Sequence, residues 1–234
     1  MQSPLVPAGD AAHDWLWLIP ALPLAASALC GVLHYVEARK RLPKVAHGHG
    51  HDHAHGHAQH DHGHNDAGHN DHGHGHEKVP AGVAGLAPIV AIAAMLVAFG
   101  LSLKGFFELR DGTATVLRAT SWSWIDTGTF PIDLTMHLDR LSSLMTLVVT
   151  GIGTLIFVYA SGYMKGDKGY GKFFAYLSLF AFSMLMLVLA DNLLLLVVFW
   201  ELTSLSSFLL IGYWHRRDEA REGARMALAV TGAG

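Results

Sequence analysis

Five long apolar runs, each almost free of charge, constrain this chain more than any other feature. A helix needs roughly 20 apolar residues to cross the hydrocarbon core of a bilayer, at a rise of about 1.5 Å per residue. A soluble helix of that length would carry a polar stripe with a period of about 3.6 residues, and the run 193–200 has none. The sequence therefore predicts an all-α integral membrane protein with about five complete transmembrane helices and the start of a sixth.

The spans are separated by polar or charged segments, which divide the chain into nine parts. We predict an outer N-terminal tail (1–14), TM1 (15–36), a cytoplasmic His-rich disordered loop (37–78), TM2 (79–103), an outer loop (104–140), TM3 (141–164), TM4 (173–190), TM5 (192–214) and the start of a truncated TM6 (224–234).

Local patterns add detail on the outer side. Rough alternation of apolar and polar residues in the outer loop predicts two short strands, and Trp122 and Trp124 suit either an interfacial aromatic belt or an ordinary loop. Asp191 is predicted to cap the N-terminus of TM5.

Charge predicts the orientation and excludes several classes of protein. Twelve of the 16 Lys and Arg residues follow the first, third and fifth spans, so the positive-inside rule places the N-terminus outside and the His-rich loop in the cytoplasm. A formal net charge of −3 excludes a strongly basic nucleic-acid binder. A single cysteine, Cys30, excludes a disulfide framework.

Residues 47–76 form a low-complexity tract in which Gly, Ala, Asp and Asn separate the histidines, so it cannot bury a core and is expected to be disordered. Neutral imidazoles at this density bind zinc, nickel or copper, but without a fixed ligand set. A tolerated insertion without a metal role is the other interpretation. The candidate non-specific ligands are His47, His49, His51, His53, His55, His57, His60, His62, His64, His69, His72, His74 and His76.

Glu201 is the one acidic residue inside TM5 and lies near its middle. A carboxylate at the bilayer centre costs about 2.5–3.5 kcal/mol on insertion scales, so it must be kept neutral or paired with a cation or water. Ser204 lies three residues further along the same helix and is a candidate hydrogen-bond partner. Glu201 is therefore predicted to relay a proton or cation, with a simple structural hydrogen bond as the alternative.

From about residue 121 onward the chain resembles the antiporter-like subunits of respiratory complex I, the NADH:quinone oxidoreductases, and most of all subunit L (chain 5). The resemblance rests on segments 138–145, 149–156, 159–164, 170–177, 189–196 and 200–212, which include Leu-Asp-Arg-Leu-Ser-Ser-Leu-Met and Trp-Glu. Segments 199–207 and 223–228 are also similar to the large subunit of multisubunit sodium/proton antiporters.

The resemblance implies a membrane subunit of a proton-pumping translocase, in the bacterial inner (plasma) membrane and bound to the other membrane subunits of its complex. It implies that Glu201 pairs with a Lys on a later, broken helix, and that this chain is a fragment of a longer subunit or a truncated product. The subunit would be a non-redox part of the enzyme, without a cofactor of its own, because the sequence has neither a Gly-rich dinucleotide loop nor iron–sulfur cysteines.

Two other functions remain open at this point. The first is the large subunit of a multisubunit sodium/proton antiporter, with no electron transfer. The second is a metal transporter with a His-rich sensor loop, but its spans offer no paired His/Asp ligands at helical spacing.

Overall fold

The computed structural model describes residues 10–12, 14–41, 83–112, 115–126, 131–167, 169–214 and 218–233. The α-helices in these ranges are α1 (Leu18–Arg41), α2 (Ala87–Arg110), α3 (Arg140–Tyr163), α4 (Tyr170–Leu189), α5 (Leu193–Ile211) and α6 (Asp218–Ala233). Short 3-10 helices precede α1 and α2 and follow α5, at Asp14–Trp17, Val83–Leu86 and Gly212–Trp214. Five of these helical segments are long and apolar enough to cross a membrane, so the predicted all-α membrane fold class is confirmed.

The helix ends differ from the predicted spans in a regular way. α1 and α2 continue to Arg41 and Arg110, because charged side chains at a helix end can reach the membrane boundary while the backbone stays helical. α2 begins at Ala87 rather than near residue 79, with a proline in its first turn, where the missing N–H costs nothing. α6 begins at Asp218, six residues before the predicted start at 224. Its first turns are polar, so a search for apolar runs did not include them.

A small sheet joins the N-terminal tail to the segment between α2 and α3. Strand β1 (Asp10–Ala12) pairs in parallel with β2 (Val116–Asp126), which pairs antiparallel with β3 (Pro131–Leu138). The alternation predicts this hairpin, although with shorter strands, and does not predict β1. The sheet holds residues 10–12 at the same end of the bundle as the hairpin between α2 and α3. The side chains of Trp122 and Trp124 lie outside the described residues.

Two buried clusters hold the bundle together, one under the hairpin and one toward the other end. In the first, Leu16 and Ile19 pack with Leu117, Leu138 and Leu189, which joins α1 and α4 to the sheet. The second contains ten buried residues, namely Cys30, Ala87, Ala91, Met95, Phe157, Ala160, Phe174, Ala175, Leu177 and Ala181. α4 is the most buried of the five candidate spans and α5 the least.

Small residues let these helices approach closely. A Cβ built on Gly171 of α4 would lie 3.2 Å from the His34 Cβ and 3.6 Å from the Cys30 carbonyl oxygen of α1. A Cβ on Gly153 of α3 would lie 2.8 Å from the Met95 side chain of α2. Close packing of this kind replaces the hydrophobic drive that helices lack inside a bilayer.

Candidate functional site

Glu201 lies at the middle of α5 and is the one charged residue between Leu193 and Ile211. It is eight residues from the start of the helix and ten from its end, or about 12 Å and 15 Å along the axis. Its side chain is exposed, and so are Val197, Val198 and Leu205, its neighbours one turn away. The carboxylate therefore lies on a face of α5 that no described element covers.

Ser204 points in a different direction from Glu201. It is buried, and its hydroxyl donates to the Trp200 carbonyl oxygen at 3.1 Å. Among the described residues no hydrogen bond joins Ser204 to Glu201. Adjacent hydroxyls bond in the same way to carbonyls of the preceding turn, Thr203 to Phe199 at 2.8 Å and Ser206 to Thr203 at 2.9 Å. The polar patch after Glu201 is thus directed mainly at its own helix backbone.

α5 is attached to α4 behind the carboxylate. The hydroxyls of Ser183 and Ser206 lie 3.4 Å apart in the interface, and both residues are buried. The rings of Phe182 and Phe199 meet edge to face, with centroids 5.8 Å apart. These contacts set the rotation of α5 about its axis and leave the Glu201 face directed away from α4.

The N-terminus of α5 is capped by Asn192, and the prediction that Asp191 would cap it is wrong. The Asn192 side-chain oxygen accepts from the Leu195 N–H at 2.8 Å, because Asn192 has extended backbone angles and directly precedes the first helical residue. Its amide nitrogen also donates to the Asp133 carbonyl oxygen at 3.1 Å, which ties α5 to the hairpin. Asp191 lies 3.4 Å from Nδ1 of His137 instead.

The opposite end of α5 is held by a carboxylate that the sequence patterns do not reveal. Oδ1 of Asp167, in the α3–α4 turn, accepts from the Gly169 N–H at 2.7 Å and from the Tyr213 hydroxyl at 2.9 Å. Oδ2 accepts from the Trp214 indole N–H at 3.4 Å. An aspartate in a glycine-containing loop is a turn signal, but its bonds to residues 46 and 47 positions away have no signal in the local sequence.

A column of buried hydroxyls runs along α3 and was also missed. Thr146, Thr150 and Thr154 each donate to the carbonyl oxygen four residues earlier, at 2.7 Å in every case. Their spacing of four residues is the sequence signal for a single polar stripe on a helix. Bonding to the helix backbone satisfies each hydroxyl, so the stripe can be buried without a partner on another helix.

The histidine tract at 47–76 lies outside the described residues. Within the parts of the chain that the structure describes, no group of three or more His, Cys, Asp or Glu side chains is placed to hold a metal ion. Cys30 is buried in α1, and its thiol donates to the Ala87 carbonyl oxygen at 3.3 Å.

Two family models match the second half of the chain. Residues 124–174 match the N-terminal model of NADH-ubiquinone oxidoreductase (complex I) chain 5, and residues 190–234 match the transmembrane model of NADH:quinone oxidoreductase and Mrp antiporters. Glu201 and α5 lie within the second match.

Curated relatives agree with these matches. NADH-quinone oxidoreductase subunit L of Escherichia coli is 43% identical over 145 residues, which cover 62% of this chain and 23% of that protein. The chloroplastic NAD(P)H-quinone oxidoreductase subunit 5 of Nephroselmis olivacea is 33% identical over 224 residues, covering 95% of this chain and 28% of that protein. The chain spans about a quarter of the length of the relatives that it matches.

Proposed function

The chain belongs to the antiporter-like family of complex I chain 5 (subunit L), and from this premise we propose that it is part of a membrane subunit that moves protons in an NADH:quinone oxidoreductase. In this proposal the oxidation of NADH and the reduction of quinone occur in other subunits. The chain contributes to the enzyme as a translocase and has no redox centre of its own. Its partners are the neighbouring membrane subunits and the lipid bilayer.

The observation that carries the proposal is the isolated carboxylate of Glu201, exposed at the middle of an otherwise uncharged helix. On an apolar face within a bilayer such a group costs about 2.5–3.5 kcal/mol. A charged residue at this depth therefore indicates a functional role. Lipid cannot solvate the charged form of the side chain, so in this proposal a further polypeptide segment covers the face in the assembled protein. We propose that this segment brings a cation to Glu201.

Among the described apolar helices α1–α5, every Lys and Arg lies within two turns of a helix end, so none can reach the middle of α5 from inside this bundle. The family resemblance implies a Lys on a later helix. In the proposed cycle, Glu201 takes up a proton when this ammonium group withdraws. It releases the proton when the ammonium returns, because a nearby positive charge favours the carboxylate over the acid.

Ser204 acts in this proposal as a positioning residue. A serine hydroxyl bonded to the carbonyl one turn earlier bends a helix slightly, and this bond lies next to Glu201. Replacing Ser204 with Ala should therefore change the efficiency of proton transfer by a smaller factor than removing the carboxylate. Replacement with Thr, which keeps the hydroxyl, should restore it.

Inverted membrane vesicles test the role of Glu201. Glu201→Gln keeps the shape of the side chain but cannot release a proton, so the number of protons moved per NADH oxidised should fall. Glu222→Gln, at an exposed site in the first turns of α6, is the matched control. The intact complex is verified by native gel electrophoresis for each variant. A wild-type proton yield in Glu201→Gln would remove Glu201 from the proton path.

A sodium/proton antiporter is the second candidate, because the family model matched at residues 190–234 covers Mrp antiporters as well. The two functions differ in their energy source. Proton movement that requires NADH and is unaffected by sodium supports the oxidoreductase. Sodium/proton exchange in vesicles without NADH supports the antiporter. The gene neighbours, which encode either dehydrogenase or antiporter subunits, distinguish the same two cases.

The proposed location is a bacterial plasma membrane with the N-terminus outside and the His-rich loop in the cytoplasm. Cysteine labelling of intact cells tests it, and the one cysteine within these 234 residues is buried. Ser3→Cys should react with a membrane-impermeant maleimide and Gly56→Cys should not. The reverse pattern would invert the topology.

A metal role for the tract at 47–76 stays a minor proposal, restricted to non-specific binding of zinc, nickel or copper. Deletion of this tract should leave growth independent of the zinc supply. Zinc-dependent growth of the deletion strain would instead favour the metal-transporter alternative.

A further inference from the structure

A cavity of about 370 Å³ lies between α4, α5 and α6, at the end of the bundle where α4 and α6 begin and α5 ends. Eight residues line it. They are Lys172, Tyr176, Phe208, Leu209, Gly212, Arg221, Ala224 and Arg225. The cavity is distinct from the Glu201 face, which lies at the middle of α5 and on a side that no described element covers. Three cations around one cavity indicate an anionic ligand.

The three cations lie near one end of the bundle. Lys172 is in the first turn of α4, and Arg221 and Arg225 are the fourth and eighth residues of α6, one helical turn apart. The N-termini of both helices point toward this end, so their dipoles add to the positive field. Asp218 lies 3.0 Å from Arg221 and offsets part of its charge. For Lys172 and Arg225 no ion pair occurs within the described part of the chain.

The rest of the lining is apolar and aromatic. Lys172 lies over the ring of Tyr176, with its nitrogen 5.4 Å from the ring centroid, and Tyr176 is one turn further into the span. Phe208 and Leu209 lie in the last turn of α5, on the same level. The cavity thus combines three charged groups with apolar and aromatic groups at the same end of the bundle. A freely soluble anion would use only the charged groups of this lining.

We propose that this cavity, which we call the α4–α6 cleft, binds the phosphate headgroup of an anionic phospholipid, with an acyl chain along the apolar wall formed by Tyr176, Phe208 and Leu209. Basic pockets between transmembrane helices recognise such headgroups on the side of the membrane that carries the basic loops. Among the described residues, the basic side chains of Arg39, Lys40 and Lys165 lie at this same end, together with the three cations of the cavity. Arginine suits phosphate in particular, because its planar guanidinium group can donate two parallel hydrogen bonds.

Native mass spectrometry of the full chain tests the proposal, with equal amounts of phosphatidylglycerol and phosphatidylcholine added in detergent. The wild type should retain phosphatidylglycerol preferentially. Lys172→Gln and Arg225→Gln should each lower this preference about fivefold, which corresponds to about 1 kcal/mol for each basic residue removed. Arg225→Lys keeps the charge and should keep most of the preference.

The matched control is Arg110→Gln, which removes an exposed arginine at the end of α2, on the opposite side of the bundle. It should leave the lipid preference unchanged, and thermal unfolding in phosphatidylcholine alone verifies that every variant is folded. An equal loss of preference in Arg110→Gln would overturn the cleft, because the effect would then follow net charge. A preference retained in both cleft variants would overturn it as well.

A water-soluble competitor identifies the source of the phosphate group. Millimolar glycerophosphate carries the headgroup without acyl chains and should not displace bound phosphatidylglycerol. Complete displacement by glycerophosphate would overturn the lipid assignment and indicate a soluble phosphate ligand. None of these readouts depends on proton movement, so the proposal can fail while the role of Glu201 stands, and the reverse.

Discussion

Replacing Asp139 with Ala should destabilise the protein measurably, because this residue closes a capping box at the start of α3. Its Oδ1 accepts from the Ser142 N–H and from the Ser142 hydroxyl, both at 2.7 Å, and its own N–H donates to the Ser142 hydroxyl at 2.8 Å. Loss of an N-cap to Ala costs about 1 kcal/mol, within a range of about 0.5–2 kcal/mol. For a chain of this size, about 1 kcal/mol lowers the melting temperature by roughly 2–4 °C.

The pH dependence separates the charge of this cap from its geometry. The pKa of Asp139 lies below its ordinary value, chiefly because the backbone N–H of Ser142 bonds to the carboxylate and then because the Ser142 hydroxyl does. A lowered pKa means that the stabilisation is complete above the unfolded pKa of about 3.9 and is lost as the pH falls through the folded value. Asp139→Asn keeps an acceptor without the charge, so its melting temperature should be less dependent on pH below about pH 4.

Thermal unfolding of the purified chain in detergent, followed by circular dichroism between neutral and acidic pH, measures both effects. Asp111→Ala is the control, since Asp111 is an exposed acid just beyond α2. Asp139 does not stabilise α3 as a cap if Asp139→Ala melts with the wild type at neutral pH, and its charge does not contribute if Asp139→Asn loses stability in acid as steeply as the wild type.

Three further changes test the packing of the bundle. Gly171→Val should cost about 1–3 kcal/mol in detergent unfolding, because its Cβ meets α1, whereas Gly162→Val has open space at its Cβ and should have little effect. Asn192→Ala should lower stability by about 1 kcal/mol in the same assay, and Asp191→Ala by clearly less, since Asn192 forms the cap. Asp167→Ala should expose the α3–α4 turn to limited proteolysis, and a wild-type cleavage rate would contradict its role as the anchor of that turn.

Helix α5 shows which features a local sequence pattern can predict and which it cannot. The absence of charge around Glu201 predicted both α5 and the position of Glu201 at its middle, because hydropathy and length act on each segment separately. The same pattern did not distinguish Asp191 from Asn192 as the cap. Either side chain can cap a helix, and the choice depends on the residue at which the helix begins.

The alternation of residues in the outer segment predicted a hairpin, but β1 has only three residues and is held by its pairing with β2. A strand of three residues is too short to show the alternation of apolar and polar residues that identifies a strand in the sequence. Likewise, Asp167 and Tyr213 are separated by 46 positions, so only the packing of α4 against α5 brings them within hydrogen-bond distance.

The amino-acid sequence alone determined that this chain spans a membrane, how many apolar helices it has, which carboxylate lies at mid-helix and which family it resembles. Those properties follow from length, hydropathy and motif, which are local. The tertiary structure decided that Glu201 faces away from α4 while Ser204 is buried, that Asp167 anchors the end of α5, and that three cations surround the α4–α6 cleft. The rotation of each helix about its axis depends on which neighbours it packs against, and contacts between residues far apart in the chain determine that packing.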